Sequence, residues 1–495
     1  MTPTFNLARG SGIGARLWIG VAAFALLMAQ VLLLLRSCGS PLVAIGLLAL
    51  DVCLILFFVV VERPVVLGYL LLLTGGVPLE VLTSDDRPLL GSLGGLNVSS
   101  MRLVFVVAVL VGYIAWSKRT RSLLLKFKVY LLFLGLAAIS LAYTPDRFEG
   151  IRFLAKLAYP FLICVFLLSI VRRPQEWYAA RSAIWWSLLA TLVFAVIYVP
   201  IGGSLIYYSR GIPRLTLSAQ SILSFYAGIL CLASGVHFFW IRKKVFLWLF
   251  ILLAMVAFFT LTRITIVALG VGILALAYYR TKSLFLVGLV LVLGSIGVLM
   301  YQPLWDYMFY DPVSPSQVLG DLANGNWSSV LGNLNTTGRS NAWPQLIQDL
   351  YLEHPILGDG LGSSSFFLRT AAIVPGKDVL WGEAVSGFGY PHNEYIRFLC
   401  DMGIVGFVLF LLTYREMWRT ARRIFKLPIS RDVQAAGLTA ALCTLFLMIT
   451  ALTDNSFNYY APFTGYVWAW FALAVRGSDL FPVGPSKVDE DPALP

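Results

Sequence analysis

The sequence predicts an all-α, polytopic membrane protein, and three observations carry that prediction. Hydrophobic residues make up 59% of the 495 residues and charged residues only 13%, about half the charged share of a water-soluble domain. Mean hydropathy is +0.82. The apolar residues gather into about 12–14 runs, each near the ~20 residues that a bilayer-spanning helix needs. A soluble enzyme, a disordered chain, a coiled coil and a disulfide scaffold are excluded. Six cysteines (Cys38, Cys53, Cys164, Cys231, Cys400 and Cys443) lie scattered with no C-x-x-C pair, so no zinc site is expected. The net charge of +12 is spread in short clusters between apolar runs. That is how membrane topology is signalled, and nucleic acid is not expected as a partner.

The runs fall near residues 17–35, 41–61, 64–82, 101–117, 129–143, 153–170 and 182–200, then 217–240, 245–261, 264–279, 283–301, 396–414, 435–452 and 462–475. The third, fifth and fourteenth are short or interrupted by glycine, which sets the range of the count. The first is too long for a signal-peptide core and reads as a retained helix. With the N-terminus placed in the cytoplasm, strict alternation puts 24 of the 37 Lys and Arg residues inside and 13 outside. The opposite orientation reverses the ratio, so the positive-inside rule selects the first. The expected organisation is eleven helices over 1–301, a large periplasmic loop over 302–395, C-terminal helices over 396–476 and a disordered cytoplasmic tail over 477–495. The setting is the bacterial inner membrane.

A connection as long as 302–395 is usually functional or disordered. It begins with turn-rich sequence and turns helical at SNAWPQLIQDLYLEH, where Trp343, Leu346, Ile347, Leu350 and Tyr351 share one face. Ser340 or Asn341 is the expected cap, with Pro344 in the first turn and the helix lying at the membrane interface. HPILGDGLGSSS follows, with Gly358, Gly360 and Gly362 alternating. It reads either as a backbone cradle for phosphate or as a tight turn, and the tight turn demands less. The loop closes on GYPHNEYIRF, which sets His392 and Asn393 immediately before an apolar helix with Asn393 at its N-cap. The positive end of a helix dipole disfavours imidazolium and leaves a neutral ring that can act as a base. The alternative is a histidine that merely bonds a nearby carbonyl.

His392, Asn393, nine residues, Gly403, two residues and Gly406 resemble the H-[NSQ]-x9-G-x-x-G signature of the O-antigen ligase and polymerase superfamily. The preceding GRSNAW…HPILGDGLG, opened by Gly338 and Arg339, resembles that family's arginine–tryptophan–HP-x-x-G-x-G block. The likeness runs over residues 200–415; before residue 150 it is one of hydropathy alone. It implies a GT-C-like membrane glycosyltransferase acting without metal or cofactor and with inversion. The donor would be an undecaprenyl-diphosphate-linked glycan, and the acceptor lipid A-core for a ligase or another glycan for a polymerase. His392 falls on the family's catalytic histidine and Arg339 on its loop arginine. Arg214 (PRLTLSAQ) and Arg263 (LTRITIVALG) resemble its arginines near the outer ends of earlier helices.

The chemistry asks for the same residue types. A diphosphate leaving group needs its growing charge stabilised, and arginine offers paired donors that stay protonated. The attacking hydroxyl needs a base. Arg263, between two apolar runs with only threonines as polar neighbours, is costly to place unless it faces a cavity or partner. Arg210 is a further candidate in the Arg214 loop. Arg397 lies one turn into the His392 helix, where it can simply pair with Glu394. Asp85–Asp86 read as a solvated turn, Asp51 as a packing or proton-relay residue, His354 as part of the loop's turn and His237 as belonging to the cytoplasmic side. A transporter for a polyanionic lipid remains the rival from another class.

Overall fold

The computed structural model describes residues 98–116, 123–197, 206–209, 212–215, 220–283, 314–326, 339–371, 390–457 and 461–481, with residue 71 and isolated positions between 285 and 294. Arg210, Asp51, Asp85, Asp86, the first two apolar runs and the tail beyond residue 481 lie outside the described residues.

The described chain is helical apart from one short hairpin. In order come α1 (Val98–Trp116), α2 (Lys128–Ser140), α3 (Arg147–Ile170), α4 (Pro174–Ile197), β1 (Ile206–Ser209), β2 (Ile212–Leu215), α5 (Gln220–Ile241), α6 (Lys244–Phe259) and α7 (Arg263–Thr281). Then follow α8 (Pro315–Ala323), α9 (Arg339–Leu346), α10 (Ser363–Ala371), α11 (Glu394–Lys426), α12 (Arg431–Thr450) and α13 (Ala461–Leu480). β1 and β2 are antiparallel, with Tyr207 opposite Arg214. Among the described helices, five are long and apolar enough to cross a membrane: α3, α5 from Leu223, α7, α11 and α12.

These helices fold as a bundle with two distinct ends. At the first, the start of α5 meets the start of α7 through a Ser224–Thr265 hydroxyl bond of 2.9 Å. The Phe225 ring lies 5.0 Å from Phe463 at the start of α13 and 6.3 Å from Phe446 near the end of α12. The Glu394 N–H, opening α11, donates to the Ala451 carbonyl just past α12. Leu215 of β2 packs with Leu192, Leu223 and Val256. At the second end, Phe425 of α11 packs edge-to-face with Trp240 and Tyr279, which close α5 and α7. That end also carries Arg172, Arg173, Arg242, Lys243, Lys244, Arg280, Lys282 and the α11 series from Arg415 to Lys426.

The interior is aromatic. Phe398 lies 4.5 Å from Phe410 and parallel to Phe153, and Tyr130 lies 4.8 Å from Trp468. All five rings are buried. α11 has 33 residues, and its last turns, from Arg415 to Lys426, form the arginine-rich second end.

Candidate functional site

α11 is two helices joined at Gly403, whose φ of 61° and ψ of −169° break the helical run. The break strands the carbonyls of Cys400 and Asp401 and the N–H groups of Ile404 and Val405, which helical bonding would have paired. All four find partners in the HPILGDG segment. Asp359 N–H donates to Cys400 O, Gly360 N–H to Asp401 O, Ile404 N–H to Pro355 O and Val405 N–H to Ile356 O, over 2.8–3.3 Å. The approach is so close that a Cβ on Gly403 would sit 2.3 Å from the Ile356 carbonyl carbon, and one on Gly358 2.5 Å from the Asp401 carbonyl carbon. Both glycines also have positive φ, so both demands, space and conformation, select glycine.

The same segment is held from its other side. Thr144 Oγ1 donates to Leu361 O, Leu361 N–H to Ser140 Oγ, and Tyr143 Oη to Leu357 O. The start of α10 has donors of the kind that cradle a phosphate, and they are occupied. The Asp401 carboxylate accepts from Gly362 N–H at 2.8 Å, Ser364 N–H at 2.9 Å and Ser363 Oγ at 3.0 Å, with Asp401 fully buried. The glycine alternation is therefore a structural turn whose anion comes from the chain itself. His354 pairs with Asp359, whose carboxyl burial raises above its ordinary value while His354 pulls it back.

Arg397 belongs to this structural assembly. It is fully buried, donates to Ser365 Oγ at 2.8 Å and lies 3.7 Å above the Phe153 ring. Glu394 and Asp401 flank it at 3.7 and 3.6 Å. Pairing with Glu394 is the arrangement expected from their spacing, and the guanidinium is engaged on several sides.

The α9 helix starts two or three residues earlier than expected, at Arg339, so Pro344 falls inside it rather than in its first turn. Just beyond, the chain widens into a π-turn over Ile347–Tyr351, closed by Leu352 N–H donating to Ile347 O. The apolar face does meet a partner, but one of protein: Leu346 is buried with Leu368 and Cys400, against Ile396 and Phe367. Trp343 Nε1 donates to the Pro391 carbonyl at 2.7 Å, which fastens the Arg339 helix to the residue before His392.

His392 has φ of 52°, a left-handed conformation that costs a non-glycine residue on the order of 1–3 kcal/mol. Its N–H donates to Asn455 Oδ1 at 2.9 Å. Its ring Nδ1 lies 3.6 Å from Asp454 Oδ1, within ion-pair range though longer than a hydrogen bond. The His392 side chain keeps 18% of its surface exposed. Asn393 is the N-cap, its Oδ1 accepting from Tyr395 and Ile396 N–H at 3.0 Å. Its Oδ1 is thereby committed to the helix.

Arg263 is half-buried and is the first residue of α7, after a tight turn in which Leu261 has φ of 50°. A cation at a helix N-terminus runs against the macrodipole, so Arg263 is not there for the helix's benefit. Arg214 is on β2, one residue from the Leu215 that packs beside α5 and α6. The elements carrying Arg214, Arg263, Arg339 and His392 thus lie toward one end of the bundle, opposite the end that concentrates the other cations.

Residues 248–411, about a third of the chain, match the model of the O-antigen ligase family. This segment is similar to the O-antigen ligase domain. It contains Arg263, Arg339, His392 and both glycines of the signature, while Arg214 lies before it. No curated protein matches the chain. With its apolar helices, the ligase domain marks a multi-pass membrane protein and an enzyme of glycosyltransferase type.

Asp454 and Asn455 escaped the sequence reading, and both lie beyond the ligase domain. A signal was present: Thr-Asp-Asn-Ser at 453–456 is a polar break between the apolar runs 435–452 and 462–475. By alternation it is on the same side as His392. His237, by contrast, is enclosed by Trp185, Phe246 and Trp470 near the second end.

Proposed function

We propose that the chain transfers a glycan from undecaprenyl diphosphate to a hydroxyl of lipid A-core at the periplasmic face of the inner membrane. His392 is the base. Its ring Nδ1 faces Asp454, which leaves Nε2 to take the proton of the acceptor hydroxyl as that oxygen attacks C1 of the donor sugar. The C1–oxygen bond to the diphosphate breaks from the opposite face, inverting the anomeric centre. Undecaprenyl diphosphate leaves with the bonding electron pair. Arg214, Arg263 and Arg339 balance the charge gathering on it, in place of a metal. General-base help of this kind is worth roughly 10²–10⁴-fold.

The observation that carries the reading is the His392–Asp454 pair, standing at the mouth of α11 on the bundle end where the three arginine-bearing elements also finish. A carboxylate against one ring nitrogen is how an imidazole is oriented to work through the other. The arginine-rich second end supports assigning the His392 end to the periplasm, because positive residues stay in the cytoplasm.

The test offers purified protein a labelled diphospholipid-linked glycan together with lipid A-core and free repeat units as competing acceptors. Label on lipid A-core is the expected result. Label in lengthening glycan identifies a polymerase sharing donor and chemistry. Lipid movement across liposomes without a new glycosidic bond overturns the enzyme reading.

A further inference from the structure

We infer that Asn455 is a positioning residue for His392, holding the histidine backbone in its left-handed conformation and thereby setting where the imidazole points; this rests on the reading of His392 as the base. The 451–457 turn grips the 392–394 segment at three points. Asn455 Oδ1 accepts the His392 N–H, Ala451 O accepts the Glu394 N–H, and Glu394 Oε1 accepts the Phe457 N–H. Two of these fix the start of α11. The first alone acts on the residue with the unusual φ.

Consecutive side chains divide the work on one histidine. Asp454 faces the ring, and Asn455 holds the main chain. Asp454 Oδ1 also accepts the Asn455 N–H at 2.8 Å, so a displacement of either residue moves the other. Packing does not explain the choice of asparagine. Asn455 is fully buried, and among the described residues its Nδ2 has no hydrogen-bond partner. A buried donor left unmade is a standing cost, and what the residue provides in return is the Oδ1 contact.

Without that acceptor the His392 N–H loses its bond and φ can fall back to the negative range that non-glycine residues prefer. The Cα–Cβ direction turns with it, and the ring leaves both Asp454 and the acceptor hydroxyl. Donor binding depends on the arginines and is untouched. The loss therefore falls on kcat rather than on KM.

The experiment uses the full-length protein in lipid nanodiscs, with a diphospholipid-linked glycan as donor and lipid A-core as acceptor. Variants Asn455→Ala, Asn455→Asp and His392→Ala are compared. Asn455→Ala is expected to lower kcat about 10–100-fold, the cost of an ångström-scale misplacement, with donor KM unchanged within about two-fold. Asn455→Asp keeps an oxygen at the same reach and is expected to recover most of the loss. The idea is overturned if Asn455→Ala leaves kcat intact, if kcat and KM move together, or if Asn455→Asp is as impaired as Asn455→Ala. Should Asn455→Ala fail to fold, as judged by melting and gel filtration, Asn455→Asp decides alone: near-normal kcat upholds the idea and a collapsed kcat refutes it. Transfer surviving in His392→Ala refutes the base itself. Transfer lost there but unaffected in Asn455→Ala refutes only the positioning.

Discussion

Two tight turns bracket the start of α11, and they differ in what they leave unfinished. In the Gly358–Ser364 turn every strained position answers to another part of the protein: glycine where φ is positive, paired carbonyls at the helix break, and Asp401 filling the anion position at the start of α10. In the Pro391–Asn393 turn the strain sits on a histidine, and its ring remains partly exposed beside a carboxylate. Strain closed off by internal partners serves architecture. Strain on a partly exposed titratable side chain is the form in which active sites store it. The glycine-rich turn looks more like a phosphate site in sequence, yet the structure shows its donors already taken.

The contrast can be broken first at Asp401. Asp401→Ala strips three donors of their acceptor and leaves Arg397 with one flanking carboxylate; removing one partner of a buried charge network costs about 3–5 kcal/mol. Little folded protein should survive, measured by detergent-solubilised yield and melting temperature. Near-normal melting would mean that this turn is not structural. Gly403→Ala comes next. The Ile356 carbonyl has no room for a methyl group, and the positive φ adds to the cost, so a loss of about 1–3 kcal/mol is expected in the same assay.

Asp454→Asn inverts the pattern. Melting should hold while turnover falls about 10–100-fold, because an amide no longer selects the ring orientation. If stability and turnover fall together, the His392 turn is as structural as its neighbour. Trp343→Phe is the mildest change. It keeps an aromatic ring but loses the bond to the Pro391 carbonyl, worth about 0.5–1.5 kcal/mol. A small drop in melting temperature with a larger relative drop in turnover is expected, since α9 then holds Arg339 less firmly.

Much of this was legible in sequence. Apolar runs and basic clusters define helices that finish at two unlike ends, and the spacing from His392 to Gly406 marks the segment that matches the ligase domain. Asn393 as cap and Arg397 beside Glu394 follow from helical geometry, where residues three and four apart are neighbours. The partners of His392 were not legible. Asp454 and Asn455 are more than 60 residues away in the chain, and periodicity reports on a single helix, not on which turns share an end. The role of Asp401 was hidden for a related reason. An aspartate in an apolar helix reads as a cost, and only the returning glycine turn reveals that it is a cap. The exact start of α9 was missed because Pro344, which opens many helices, here lies past the first turn and before a π-turn.

The role of His392 as the base is most directly tested by single-turnover transfer in His392→Ala, with binding of the diphospholipid-linked glycan measured in parallel. Donor affinity is expected to stay close to that of the unaltered protein, with a transfer rate lower by roughly 10²–10⁴-fold. Transfer at an undiminished rate, or loss of donor binding in step with transfer, would contradict that role.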